Sequence, residues 1–277
     1  MNNIIQNTKI LTENDEVLLI LDLQPEDIRS ILKNSEKKRI VANTIEEMQD
    51  HEVTNIHIPE VFTDVEVRIQ FAVATMLKND TITLGDQVVV VSNLPKVQET
   101  LITELTVKEE YLQPEMIKFF LESSASTETI HETLSLATSL AIKGRKGSPV
   151  GALFVIGDEN EVLERSKTLN YNPFTGADVH IGDKVVESSL GEFAKLDGAF
   201  VISDDGKVVS SGRYLEPRIQ DADVPSGLGS RHMAGSGITE STNAVSIVVS
   251  ESDGRIRCFM EGELIMNFDP ADNNFIY

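Results

Sequence analysis

The 277-residue chain has no tryptophan and one cysteine, Cys258, so no internal disulfide can staple it and a reducing compartment, the cytoplasm, is expected. Positive charge is also short. Its 24 Lys and Arg stand against 45 Asp and Glu, a net charge of −21 that opposes binding to DNA phosphates or to an anionic membrane. The deficit is even, 11 bases with 21 acids over residues 1–120 and 13 with 24 over the rest, so there is no acidic tail. Long apolar runs are missing as well: Val17–Leu21 and Val88–Val91 fall far below the roughly 20 residues of a membrane span, and Met1-Asn2-Asn3-Ile4 does not begin a signal peptide. What remains, 40% hydrophobic and 25% charged residues, is a globular composition that excludes a disordered or collagenous chain.

Glycine is scarce in one half only. Of 17 glycines, Gly85 alone precedes position 144, so a glycine-rich phosphate loop can be built only from the second half. Two domains are expected. The first half alternates strand and helix: Glu16 to Leu23, Arg39 to Ala42, Asn55 to Ile58 and Gln87 to Ser92 read as extended, and Pro25 to Asn34, Ile45 to His51 and Val65 to Asn79 as helical. Continuous runs such as Val88-Val89-Val90-Val91 suit parallel strands covered on both faces, hence an open α/β sandwich. Leu84-Gly85-Asp86-Gln87-Val88-Val89-Val90-Val91-Ser92 resembles the carboxy-terminal domain of pyruvate kinases, which implies that fold and a structural, oligomerising or regulatory role.

The join is expected between Thr106 and Ser126, giving domains of residues 1–122 and 123–277. Beyond it, Thr127 to Lys143 forms an amphipathic helix with Thr127 as its cap, Val150 to Ile156 a strand and Gly182 to Ala194 a second helix. Three Asp-Gly pairs follow. Asp205-Gly206 and Asp253-Gly254 lie between apolar runs, as hairpin turns do. Asp197-Gly198 follows a helix instead, so it is either a helix stop or an acid beside bare backbone that meets a ligand. Gly227-Leu228-Gly229-Ser230-Arg231-His232-Met233-Ala234-Gly235-Ser236-Gly237 holds four glycines in eleven residues, with Ser230 and Arg231 where a loop enters a helix. Exposed backbone N–H groups, a planar guanidinium and an imidazole make this an anion site in outline, against the plainer reading of a flexible loop. His51, His57, His131 and His180 show no ligand spacing, and Lys37-Lys38-Arg39 reads as a solvated helix end.

Asp197-Gly198-Ala199, then Gly229-Ser230-Arg231-His232, then Gly237-Ile238-Thr239-Glu240-Ser241-Thr242-Asn243-Ala244 with Ile247-Val248-Val249-Ser250-Glu251 resemble, in that order, the diadenylate cyclase domain, archaeal type. The likeness runs from about Thr127 to Gly262 and includes Gly147 to Asp158. It implies a mixed sheet flanked by helices, with two ATP molecules condensed to cyclic di-AMP and two pyrophosphates across self-associated, face-to-face cyclase domains. It also implies a divalent ion, Mg²⁺ or Mn²⁺.

By the same resemblance Asp197 binds metal or accepts the hydroxyl proton, and Gly198 and Ala199 let the nucleotide approach. Gly229, Ser230, Arg231 and His232 hold the phosphates, with His232 a donor or proton carrier. Thr239 touches phosphate, Glu240 helps hold the metal, and Leu215, beside Tyr214, lies near the adenine or else packs in the core. The chain departs from the common bacterial pattern at Met233, where an arginine is usual, at Leu196, where some relatives have histidine, and at Asn243, where aspartate is usual. The missing guanidinium suggests an alternative, a sensor that binds ATP or cyclic di-AMP without turnover.

Overall fold

The structure is a computed structural model that describes residues 17–34, 40–42, 53–59, 62–94, 99–142, 148–169, 171–183, 187–216, 228–271 and 274–276. The chain divides into two compact units, Met1–Pro114 and Glu115–Tyr277.

In the first unit, β1 (Val17–Leu21) is buried on both faces, as an all-aliphatic VLLIL run must be. It pairs in parallel with β2 (Ile40–Ala42) on one side and β4 (Gln87–Leu94) on the other. The short β3 (Val53–Asn55) extends the sheet beyond β2, and β5 (Glu99–Thr106) closes the far edge antiparallel to β4, giving the order β3-β2-β1-β4-β5. Two helices serve as connections. α1 (Pro25–Asn34) packs Ile28 and Ile31 on Leu18, Ile20, Val89 and Val91. α2 (Val65–Lys78) starts at Asp64, whose carboxylate accepts from the N–H groups of Glu66 and Val67, and buries Ile69, Phe71, Ala72, Val73 and Met76. The helix expected over Ile45 to His51 lies outside the described residues.

The second unit carries an eight-stranded mixed sheet in the order β13-β12-β11-β10-β6-β8-β9-β7. Its strands are β6 (Ala152–Ile156), β7 (Ser166–Thr168), β8 (Ala199–Ile202), β9 (Val208–Leu215), β10 (Val245–Val249), β11 (Ile256–Met260), β12 (Glu263–Asp269) and β13 (Asn274–Ile276). Among the described residues of this unit only β6 and β8 run parallel, and every other pairing is antiparallel. The helices are α3 (Glu115–Leu121), α4 (Thr127–Ile142), α5 (Glu159–Glu164), α6 (Glu187–Phe193) and α7 (Ser230–Ser241). The expectation of a mixed sheet flanked by helices is met.

Local chemistry sets these boundaries. α4 is capped by Ser126, whose hydroxyl accepts from the N–H of Thr129, while the expected cap Thr127 spends its hydroxyl on the Phe120 carbonyl. α6 is shorter than its apolar pattern suggested, because Ile181, Gly182 and Asp183 form a turn held through His180. Asp205-Gly206 and Asp253-Gly254 turn the β8–β9 and β10–β11 hairpins, with Gly206 and Gly254 at φ +94° and +68°. α7 lies close on β10: a Cβ at Gly235 would come within 2.8 Å of Ser246 Oγ and 3.1 Å of Val248. Ile238 beside it joins Leu153, Val155, Val201, Val248 and Phe259 in the core, each worth about 1.5–3 kcal/mol by burial. Cys258 is buried in β11, where burial pushes its thiol up and leaves it a small core hydrophobe. Among the described residues no helix is long and apolar enough to cross a membrane.

Candidate active site

Sheet register decides what meets at each end of this unit. β8 is parallel to β6, with Phe154 opposite Phe200, so Gly151 before β6 and Asp197-Gly198 before β8 stand at the same end. β10 is antiparallel to β6, with Val249 opposite Ala152, which brings the residues after β10, Ser250 and Glu251, to that end too. α7 begins there.

Arg231, in the first turn of α7, is the centre of the cluster. Its Nη2 lies 3.9 Å from Asp197 Oδ1 and its Nη1 3.4 Å from Glu251 Oε2. Gly151 makes room for it, since a Cβ there would come within 2.8 Å of Nη1. Asp197 is 92% exposed and Glu251 70%, so these are loose pairs that a stronger anion can displace. The cap residue Gly229 has no side chain to bond the first turn, and the helix accepts N–H groups only from His232 and Met233 onward. Exposed Ser230 and the first-turn backbone thus form a site for negative charge on the positive end of the helix dipole.

His232 sits just beneath, 6% exposed, with its ring 6.4 Å from that of Phe259. Burial, then the positive charge of Arg257, lower its pKa from 6.5 to about 4, with a smaller push from Arg231 and partial opposition from Asp253. It is therefore a neutral imidazole at physiological pH. Its Nε2 lies 3.3 Å from Arg257 Nη1, and Nδ1 has no hydrogen-bond partner among the described residues. Arg257 is clamped in turn by Asp253 Oδ2 at 2.8 Å.

Not every residue named by the resemblance is here. Gly198 is next to the cluster, but its bareness has another cause: at φ +106° its Cβ would lie 2.5 Å from the Gly212 carbonyl carbon and 2.7 Å from Arg213 N, so the β9 backbone already fills that space. Ala199 and Leu215 are core residues, which leaves neither side chain free for a nucleotide; on β9 it is Tyr214 that faces out, 55% exposed. Thr239 is buried, its hydroxyl donating to the Ser236 carbonyl and accepting from Gly262 N–H. Glu240, nine residues beyond Arg231, stands about 13 Å along the axis at 1.5 Å per residue, against Gly262 at the opposite end of the sheet. The geometry does not bring Thr239 or Glu240 to Asp197. Gly151 and Glu251, not singled out from the sequence, take their place at the cluster.

The donor set suits a cation shared with phosphate oxygens rather than a cage made by protein alone. Asp197 and Glu251 flank the cluster, and among the described residues no three His, Cys, Asp or Glu side chains gather as ligands.

The family described as "DisA bacterial checkpoint controller nucleotide-binding" matches residues 139–264. A diadenylate cyclase of Haloferax volcanii is 42% identical over 218 residues, 78% of this chain and 80% of that protein. A diadenylate cyclase of Methanocaldococcus jannaschii is 43% identical over 145 residues, 52% of this chain and 47% of that protein. A crystal structure of DacA from Staphylococcus aureus aligns at 26% identity over 50% of this chain and 84% of that one, with a TM-score of 0.33. With two-fifths identity to the Haloferax protein over most of both sequences, the chain belongs to the diadenylate cyclase family of nucleotidyltransferases.

Proposed function

We propose that this protein condenses two ATP molecules into cyclic di-AMP with release of two pyrophosphates, each ATP held by one cyclase unit of a face-to-face pair. The observation that carries this is the approach of Asp197 to Arg231, residues from separate motifs that share one exposed cluster at the start of α7.

The work divides among named groups. Arg231 offers a planar fork to phosphate oxygens, taking them in exchange for its loose contacts with Asp197 and Glu251. The first-turn N–H groups and Ser230 of α7 stabilise charge that grows on the phosphates as the transferring group loosens. Asp197 and Glu251 are the residues that would hold a divalent cation, Mg²⁺ or Mn²⁺, which would supply charge neutralisation. We also assign Asp197 the role of accepting the proton of the incoming 3′-hydroxyl. The O3′–Pα bond then forms as the bond from Pα to the bridging oxygen breaks, pyrophosphate leaves, and the second half-reaction repeats the exchange with the two nucleotides' roles reversed. A single unit carries one nucleotide, so self-association is required for product.

Residues 1–114 we assign a structural, oligomerising or regulatory role, and the cytoplasm as the working compartment. The test is incubation of the protein with ATP and Mg²⁺ or Mn²⁺ followed by chromatography for cyclic di-AMP. Tight ATP binding without product under varied metal and salt would favour the sensor reading instead.

A further inference from the structure

The buried base of α7 contains a charged pair that the nucleotide-facing cluster does not use. Arg257, on β11, is 7% exposed, and its guanidinium bonds Asp253 through Nη2 at 2.8 Å and Nη1 at 3.4 Å. These two contacts hold the guanidinium in place. The same Nη1 reaches His232 Nε2 at 3.3 Å. Arginine has donors and no acceptor, so this contact is a hydrogen bond only if Nε2 presents its lone pair. A neutral imidazole with Nε2 accepting carries its proton on Nδ1.

We infer that Arg257, clamped by Asp253, is a positioning residue of this site: it locks His232 into the Nδ1–H tautomer and so presents a fixed single donor in the first turn of α7. The charged and ring groups that face the imidazole are Arg257, Asp253, Arg231 and Phe259, and none of them accepts from Nδ1. A buried N–H without a partner is costly, which suits a donor satisfied only when an oxygen arrives, whether of water or of a nucleotide phosphate. That Nδ1–H serves ATP rests on the cyclase reading; the tautomer lock does not.

The test is long-range ¹H–¹⁵N spectroscopy of the full-length protein without nucleotide near neutral pH, with the His232 signals identified by their loss in His232→Gln. His232 is expected to show a protonated Nδ1 and a lone-pair Nε2. Arg257→Met is expected to release Nε2 to carry the proton, and to lower kcat for cyclic di-AMP at least about tenfold while KM for ATP moves less. Arg257→Lys, which keeps a cationic donor, should restore the tautomer and part of kcat. A wild-type proton on Nε2 overturns the inference outright, whatever the variants do. So does an unchanged tautomer in Arg257→Met, or a kcat within about twofold of wild type once the tautomer has switched. Should Arg257→Met fail to fold, the wild-type spectrum and Arg257→Lys decide. A wild-type protein that shows the Nδ1–H tautomer but makes no cyclic di-AMP would refute the cyclase reading and leave the lock standing.

Discussion

Gly198→Ala separates two reasons for a glycine beside Asp197. If the residue is bare so that a nucleotide can approach, a methyl group should raise KM for ATP and leave the fold alone. The structure gives a different cause. The new Cβ would sit 2.5 Å from the Gly212 carbonyl carbon and 2.7 Å from both Gly212 Cα and Arg213 N, and these backbone atoms can move only if the β8–β9 pairing opens. A φ of +106° adds strain for any residue with a side chain, about 1–3 kcal/mol, and the overpacking adds about 1–3 kcal/mol more. The variant should therefore lose about 2–6 kcal/mol, a fall in Tm on the order of 10 °C for a unit of this size. Thermal and urea unfolding without ligand measure this. A Tm within about 2 °C of wild type combined with a raised KM would refute the packing account and return the glycine to the nucleotide.

Asp197→Asn should cut synthesis by at least about a hundredfold while stability stays within about 0.5 kcal/mol, because the side chain is 92% exposed; substantial product in a coupled pyrophosphate assay would remove Asp197 from the chemistry. Glu240→Gln should leave kcat and the metal dependence within about twofold of wild type, since the carboxylate stands at the far end of α7, and a changed metal optimum would contradict that placement. Gly151→Ala pushes a methyl group against the flexible end of Arg231 and within 3.0 Å of Glu251 Cβ, so ATP KM is expected to rise about 10–100-fold, the worth of a charge-assisted hydrogen bond. An unaltered KM would mean Arg231 does not hold ATP. His232 gives a pH signature: unfolded, it takes a proton near 6.5, and folded it refuses one until about 4, so stability is full above this window and falls as pH drops through it, by up to about 3 kcal/mol. Urea unfolding of His232→Gln should show a shallower loss between those pH values than wild type, and parallel slopes would show that the imidazole is not buried neutral. Burial raises Glu132, which slopes the other way, but it is common to both proteins and cancels.

Much of the fold could be read from residues alone, for physical reasons that also mark where reading stops. VLLIL and VVVV can be continuous only if both faces of a strand are covered, so β1 and β4 are visible, and the apolar stripe of Thr127–Ile142 needs one buried face. The edge strand β5, ETLITELT, is invisible by the same criterion. Its glutamates face water and β4 supplies the partner that its own composition does not announce. On β9 the period of two puts Leu215 in the core and Tyr214 outside, a distinction that needs the register of β8 against β9 to settle.

The site divides along the same line. Asp197 and Arg231 each carry a local signal, an acid before a bare backbone and a cation at a helix start, but a helix stop and a flexible loop fit those signals equally, and it is the order of the motifs that picks them out. Glu251 and Gly151 lie in stretches that carry the resemblance but have no role given to them there; they reach Arg231 because β10 runs antiparallel to β6, a fact of pairing that no local pattern contains. Thr239 and Glu240 err in the opposite direction. The resemblance gives them a phosphate and a metal to hold, yet nine residues of α-helix carry a side chain about 13 Å along the axis, to the other end of the sheet. The guanidinium that the sequence lacks at position 233 makes the same point: the one that touches His232 comes from Arg257, on a strand 25 residues away, because β11 begins where α7 does. Residues on one element part with distance along it, and residues on separate elements meet wherever register aligns their ends. A site built at the ends of interior strands is therefore legible in its motifs and hidden in its neighbours.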